Sequence, residues 1–390
     1  MNKKLIILPV LSFIIVFIFS LTLFPTVQPE PKDLPIAIVN DDQGAELPDE
    51  SQLDLGDVIV DMIQSFTEDD GDSPIEWIAV NSENEVLKGM DDQEYYAALV
   101  IPEDFSSKQI SFLQSDEYDP LELKVYINEG MNMTASAMTS NLLDGIAENV
   151  NDNSRNELLE LSEEMGIPLS AEQISNLAEP VTKTEIIVNE IGENSMNGNA
   201  PMSLFQPLWI ASLLTAILSF FALRGKSFSS TKEHLIARVW QITSVVVASI
   251  FIGFGLTWLA SGMVGLNIPN FMDTALFLSL TSFSYISMIL VVLTLIGVAG
   301  IPIFILLLFF AIPLLNLVPE MMSSFYHDWV YSWLPMRFMV EGVRKLLYFG
   351  ESFTWNFEVS VLFWIGLVSV AILLGISFKR NSEKNIEVKE

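Results

Sequence analysis

Apolar residues gather along this chain in long unbroken runs near its two ends and in short alternating runs between them. The first long run is Leu5–Phe24, and the next does not begin until Pro207. From there apolar runs crowd almost to the C-terminus. A helix needs about 20 apolar residues to cross a bilayer core. On that measure six spans are predicted: Leu5–Phe24, Pro207–Leu223, Ile236–Met263, Thr274–Val298, Ile301–Val318 and Glu358–Phe378. Only Gly297 to Gly300 separates the fourth from the fifth, which suits a tight hairpin between antiparallel helices.

The stretch between the first two spans has other periods. Leu34–Val39, Ile75–Val80, Tyr95–Ile101 and Leu121–Ile127 read as strands. Leu53–Phe66 and Asp104–Leu113 read as amphipathic helices, the latter started by Asp104 or Pro102. From Met131 to Met165, and again from Ala171 to Glu193, apolar residues recur at helical spacing, with Pro168 and Pro180 as interruptions. An α/β core is therefore expected, followed by long helices that return the chain to the membrane.

Charge sharpens this division. Residues 28–205 hold 39 acidic and 6 basic side chains, a net of −33, against −30 for the whole chain, so the remainder carries +3. Acid on this scale reads first as a solvated surface. Asp69-Asp70-Gly71-Asp72 resembles part of a calcium loop but lacks the closing glutamate that such a loop requires. The chain has no cysteine, which excludes disulfides and thiolate metal sites. Lys3 and Lys4 precede the first span, Arg224, Lys226, Lys232 and Arg238 flank the loop after the second, and Lys379, Arg380, Lys384 and Lys389 follow the last. Basic loops stay inside. Both termini are thus expected in the cytoplasm, with residues 28–205 and the loop Pro319–Phe357 outside. Only Arg337, Arg344 and Lys345 oppose the rule. Leu5–Phe24 reads as an uncleaved span, because Pro25 to Pro29 offers no small-x-small cleavage site.

Signals for catalysis are missing. No GxxxxGK[ST] phosphate loop, HExxH or GxSxG occurs. His234 and His327 fall on opposite sides of the membrane in this topology, and His234 reads as an ordinary loop residue. Ionisable residues are nearly absent from the span interiors, which argues against a proton relay. No catalytic, metal or cofactor residue is assigned. Two polar segments remain. In Arg224–Arg238, Ser230 or Thr231 suits the cap of a short helix near Lys232, and the segment is either a positive-inside anchor or a lever for a cytoplasmic motor. In Trp333–Phe349, Arg337, Glu341 and Arg344 are spaced by four and three, and Glu341 and Lys345 by four, so they share a face and can pair. Such a helix lies in, or dips into, the outer interface.

Four elements in order resemble permeases of the ABC type-2 class, in the branch of the phage-infection-protein family. They are LPIAIVNDDQGA (Leu34–Ala45), YYAALVIPEDFSS (Tyr95–Ser107), LKVYINEGMN (Leu123–Asn132) and WLPMRFMVEGVRKLLYFG (Trp333–Gly350). The resemblance covers nearly the whole chain, although the acidic domain is much shorter than in the largest members. It implies six spans per subunit, a dimer of this chain with itself or with a related permease, and a separate cytoplasmic ABC ATPase subunit that does the hydrolysis. It implies that Lys232, Glu233, His234 and Arg238 belong to the ATPase-coupling loop. Pro335, Arg337, Glu341 and Arg344 would belong to a re-entrant outer segment that closes the exit.

The expected fold is therefore membrane α-helical, with six transmembrane helices and an α/β extracytoplasmic domain between spans 1 and 2. The divisions are 1–27 for the first span, 28–205 for the acidic domain, 206–318 for spans 2–5, 319–357 for the outer segment, and 358–390 for span 6 and the tail. The expected function is an exporter permease in the cell membrane, in contact with the lipid bilayer and not with nucleic acid. Two other readings stand beside it. One is a non-transporting surface component, such as a phage receptor or a secretion-apparatus subunit. The other is a sodium or cation extruder, suited to an acidic exterior that concentrates cations.

Overall fold

The computed structural model describes residues 13, 16, 17, 20, 31–46, 52–65, 73–114 and 120–387, with side chains up to 378. Lys3, Lys4 and most of Leu5–Phe24, the acidic run Asp69–Asp72, and the side chains of Lys379, Arg380, Lys384 and Lys389 lie outside the described residues. The chain divides into two compact units. One is Glu30–Glu190; the other joins Met1–Pro29 to Ile191–Glu390.

The first unit is a mixed sheet covered on both faces. Its elements run β1 (Leu34–Asn40), β2 (Ala45–Glu46), β3 (Gln52–Leu53), α1 (Leu55–Ser65), β4 (Ile75–Ala79), α2 (Glu83–Asp91), β5 (Ala97–Ile101), α3 (Phe105–Gln114), β6 (Leu121–Asn128), α4 (Met133–Met165), α5 (Ala171–Asn176) and β7 (Val181–Val188). The sheet order is β4-β1-β5-β6-β7, parallel except where β5 meets β6. Both faces of the central strands are buried, as a sheet with covered faces requires. Ile36, Ile38, Leu99 and Ile101 pack with Leu55, Ile59, Ile63 and Phe105 from α1 and α3. Ala37, Val39, Ala98 and Val100 pack with Val86 and Met90 from α2.

The four expected strands form. The fifth, β7, corrects the sequence reading, which extended helical spacing from Ala171 to Glu193. Only α5 is helical there, capped by a Ser170–Gln173 capping box. Val181–Val188 pairs with β6 over all eight residues. Its β-branched residues fit a pleated surface, and an open edge of β6 decides the outcome. One long helix therefore follows the core, not several.

The second unit is helical. Its elements are α6 (Ala200–Leu223), α7 (Thr231–Leu259) with a π turn at Ala260–Val264, α8 (Phe271–Ile296), a 3-10 turn at Gly297–Gly300, α9 (Ile301–Asn316), α10 (Ser324–Trp329), α11 (Pro335–Tyr348) and α12 (Phe357–Glu387). The expected boundary at residue 205 falls inside α6, and residues 191–205 cluster with the helices. Among the described residues four helical stretches are long and apolar enough to cross a membrane: Ala200–Leu223, Thr231–Val264, Phe271–Asn316 and Phe357–Phe378. The third holds 46 residues. As one rod it would reach about 70 Å, more than twice a bilayer core. It is broken at Gly297, where φ 73° and ψ −154° are open to glycine and strained for other residues. The 16 residues of α9, with Pro313 among them, rise about 24 Å.

Close packing in this unit comes from small residues. A Cβ on Gly253 of α7 would strike the backbone of Ala275 and Ser279 on α8. Buried hydroxyls on α8 bond back one turn, Ser279 to Ala275 and Thr281 to Phe277, and Ser282 meets Ser212 of α6 at 3.1 Å. Without a hydrophobic drive between helices in lipid, such small-residue crossings carry the association.

Candidate functional site

The basic loop precedes α7, and α7 is not the short helix expected near Lys232. It runs 29 residues without a break into the spanning segment. Ser230 is the N-cap, its hydroxyl accepting from the Glu233 amide at 3.2 Å, and the Glu233 carboxylate accepts from the Ser229 amide at 2.9 Å. The first bond satisfies an amide that the first turn leaves without a helical partner, and the second ties the residue before the cap to that turn.

The four loop residues divide by exposure. Lys232 and Glu233 are exposed, whereas His234 and Arg238 are buried. His234 is thus not a loop residue. Its ring stacks on Phe228 with centroids 4.8 Å apart, and Nδ1 lies 3.3 Å from the Ser377 carbonyl of α12. Arg238 donates to Gln241 Oε1 at 2.6 Å, and Gln241 donates to the Ser219 carbonyl of α6 at 2.7 Å. His234, Arg238, Gln241, Val245, Ser249, Gly253 and Thr257 form one buried face along α7. The spacing of threes and fours makes that face continuous from the loop into the span. Sequence reading missed Gln241, whose signal was its place in this series.

The other segment is built around α11. Pro335 opens the helix and its carbonyl accepts from the buried Tyr285 hydroxyl at 3.3 Å. Met336, Phe338, Met339, Val340, Val343, Leu346 and Leu347 are all buried, so the helix is packed into the unit rather than laid along a surface. Gly342 permits this, because a Cβ there would overlap the ring of Phe277.

The charges on α11 pair only partly as the spacing suggested. Glu341 faces Arg337 with Nε–Oε1 at 3.9 Å, and Tyr331 donates to the same oxygen at 2.9 Å. The Arg337 guanidinium also sits over the rings of Tyr331 and Phe338, at 5.0 and 4.7 Å. Arg344 is half-buried, and the ion pair of Glu341 is with Arg337 rather than with it. Lys345 turns away from Glu341 to Glu358, 3.4 Å away on α12, and to Glu351 at 3.8 Å. Tyr331 and Glu358 were not legible as partners, since they lie outside the helix whose periodicity was read.

The motif residues of the α/β unit are joints. The Asp42 carboxylate accepts from the Gly56 amide at 3.0 Å, from the Ser106 amide at 3.0 Å and from the Ser106 hydroxyl. It thereby holds the starts of α1 and α3 together at the end of β1. Asn128 donates to the Met90 and Tyr95 carbonyls at 2.8 and 3.0 Å, and Asn132 caps α4. Three of the four quoted sequence elements supply residues to these contacts. No group of three His, Asp or Glu suited to a metal occurs among the described residues.

The family model described as "ABC-2 family transporter protein" matches residues 3–377. Over 153 residues the chain is 28% identical to "Uncharacterized protein YhgE" of Bacillus subtilis (strain 168), a match covering 38% of this chain and 19% of that protein. The match thus spans about a fifth of that relative's length. No solved structure matches the chain.

Proposed function

We propose that this chain, which belongs to the ABC-2 family of transporter proteins, is the permease subunit of an exporter, driven by a separate cytoplasmic ABC ATPase. In this reading six helices cross the membrane, with Leu5–Phe24 as the first and α8 and α9 as a hairpin. Both termini are inside and the acidic α/β unit is outside. Two permeases associate, as a homodimer or with a related chain.

The observation that carries the reading is the continuity of α7. Lys232 and Glu233 project from its capped first turn, and the same helix runs unbroken into the membrane. A push at that turn reaches the helix pack without loss in a flexible joint. Arg337 and Glu341 lie on a helix packed beside α6, α8 and α12, and we assign this segment the closing of the outer exit.

The test uses the tagged full chain purified from its own membranes. An ABC ATPase should co-purify with it. Lys232→Glu should lower transport-coupled hydrolysis by about an order of magnitude while thermal unfolding stays unchanged, because Lys232 is exposed and an acidic side chain suits a helix N-terminus. Arg238 is unsuited to charge reversal, since an uncompensated buried charge would disrupt the fold. A preparation that never carries an ATPase would remove the proposal.

A further inference from the structure

We propose that the basic end of α6 and α7 is a binding site for one anionic phospholipid, with the phosphate in a cationic cleft and an acyl chain in an adjoining apolar groove. The cleft encloses about 440 Å³. Arg224, Lys226, His234 and Arg238 line it, with Gln241 and Ser227, and no Asp or Glu lines it among the described residues. In a chain with a net charge of −30, four cationic or proton-binding side chains around one cavity stand out.

A second observation gives the ligand its shape. A groove of about 450 Å³ runs between α6 and α7 and shares Leu223, Lys226 and Gln241 with the cleft. Its further walls are mostly apolar, with Leu218, Ala222, Ala237, Trp240, Val245 and Ala248 interspersed by Thr215, Ser219 and Ser244. Leu218 is 71% and Trp240 69% exposed, a large apolar surface in the part of the chain read as membrane-spanning. The polarity therefore changes from the cationic cleft to the mostly apolar groove that adjoins it. A phosphodiester headgroup with an attached chain has that pattern; a free anion has only its first half. Arg224 is held for the task, its guanidinium over Phe220 and Phe221 at 5.7 and 5.4 Å, with donors left for an oxyanion. Basic pockets between spans on the cytoplasmic side suit acidic headgroups.

The inference rests on the inward placement of this loop, but not on its coupling role. The occupied lipid would bridge α6 to the first turn of α7 and so set how freely the lever moves.

The full chain in dodecyl maltoside should be titrated with dioctanoyl phosphatidylglycerol, dioctanoyl phosphatidylcholine and glycerol 3-phosphate, with binding read calorimetrically. The phosphatidylglycerol should bind at least tenfold more tightly than either other ligand. Arg224→Gln with Lys226→Gln should weaken it on the order of thirtyfold, at roughly fivefold per basic side chain. Ala222→Phe, an exposed position in the groove, should weaken phosphatidylglycerol and leave glycerol 3-phosphate unchanged. Equal binding of phosphatidylglycerol and glycerol 3-phosphate would reduce the site to one for free phosphate and overturn the lipid. Equal binding of the two lipids, no binding at all, or no effect of the double variant would also overturn it. An ATPase that protects Arg224 and Lys226 while phosphatidylglycerol fails to bind would reassign the cleft to protein. ATPase co-purification is measured separately, so failure here leaves the permease reading intact.

Discussion

At the scale of single residues, the most consequential side chain in the acidic unit is Asp42. Its carboxylate satisfies two amides and a hydroxyl at the mouths of two helices. Truncation leaves those donors buried, at about 1–3 kcal/mol each where water cannot reach them. Asp42→Ala should cost about 3 kcal/mol of the α/β unit's stability, and Asp42→Asn less, read by hydrogen exchange at β1 and β5. Protection unchanged in both variants would show that the carboxylate is not the joint. Gly342 makes the matching case in the helical unit. Gly342→Leu should lower the unfolding temperature of the membrane-embedded chain by several degrees, since the new side chain would overlap the buried ring of Phe277. Smaller losses at Gly375, whose Cβ would meet open space, provide the control. Neither role was legible beforehand. The Asn-Asp-Asp run was recognisable as a motif, but only the parallel pairing of β1 with β5 brings Asp42 to Ser106, 64 positions away.

At the scale of elements, α11 and α2 each give a test. Removing Glu341 leaves Arg337 half-buried over two rings without its carboxylate. Glu341→Ala should therefore harm transport and thermal stability more than Glu341→Ala combined with Arg337→Ala, with a coupling of about 1 kcal/mol. Strictly additive losses across the two single variants and the double would show no interaction. On α2, the Tyr126 hydroxyl donates to Glu83 and Lys124 lies 3.1 Å away, and together they hold the Glu83 carboxyl below its ordinary value. A lowered folded pKa stabilises above the unfolded value near 4.5 and loses that contribution as pH falls through the folded value. Tyr126→Phe should lower the unit's stability at neutral pH and shrink the part of it that is lost as pH falls below the unfolded value, because the folded value moves back toward the unfolded one. A variant that is as stable as the parent at neutral pH and loses as much in acid would contradict this pairing. The elements themselves were largely readable, because strands of Leu, Ile and Val between turn residues and apolar runs near 20 residues carry strong periods. The exception, β7, has apolar residues spaced so that both periods fit, and its partner strand settles the matter. The partners of α11 were half readable: Arg337–Glu341 follows from spacing, whereas Lys345–Glu358 depends on how α12 packs.

At the scale of the whole molecule, the composition already separates an acidic unit from a slightly basic helical one, and the proposed orientation rests on this asymmetry. The helical unit packs through hydroxyls and glycines, which suits helices surrounded by lipid. What composition does not carry is the depth of each charge: His234 and Arg238 belong to the packed face of α7, whereas Lys232 and Glu233 are exposed. Family membership makes transport the frame for both facts, and topology is the claim on which coupling, gate and lipid site all depend. The cysteine-free chain gives a direct measurement. Glu164→Cys, exposed on α4, and Ser229→Cys, exposed before α7, should be treated in intact cells with a membrane-impermeant maleimide. The account expects labelling at position 164 and none at 229 until the cells are opened. Labelling at 229 in intact cells, or protection at 164, would contradict it.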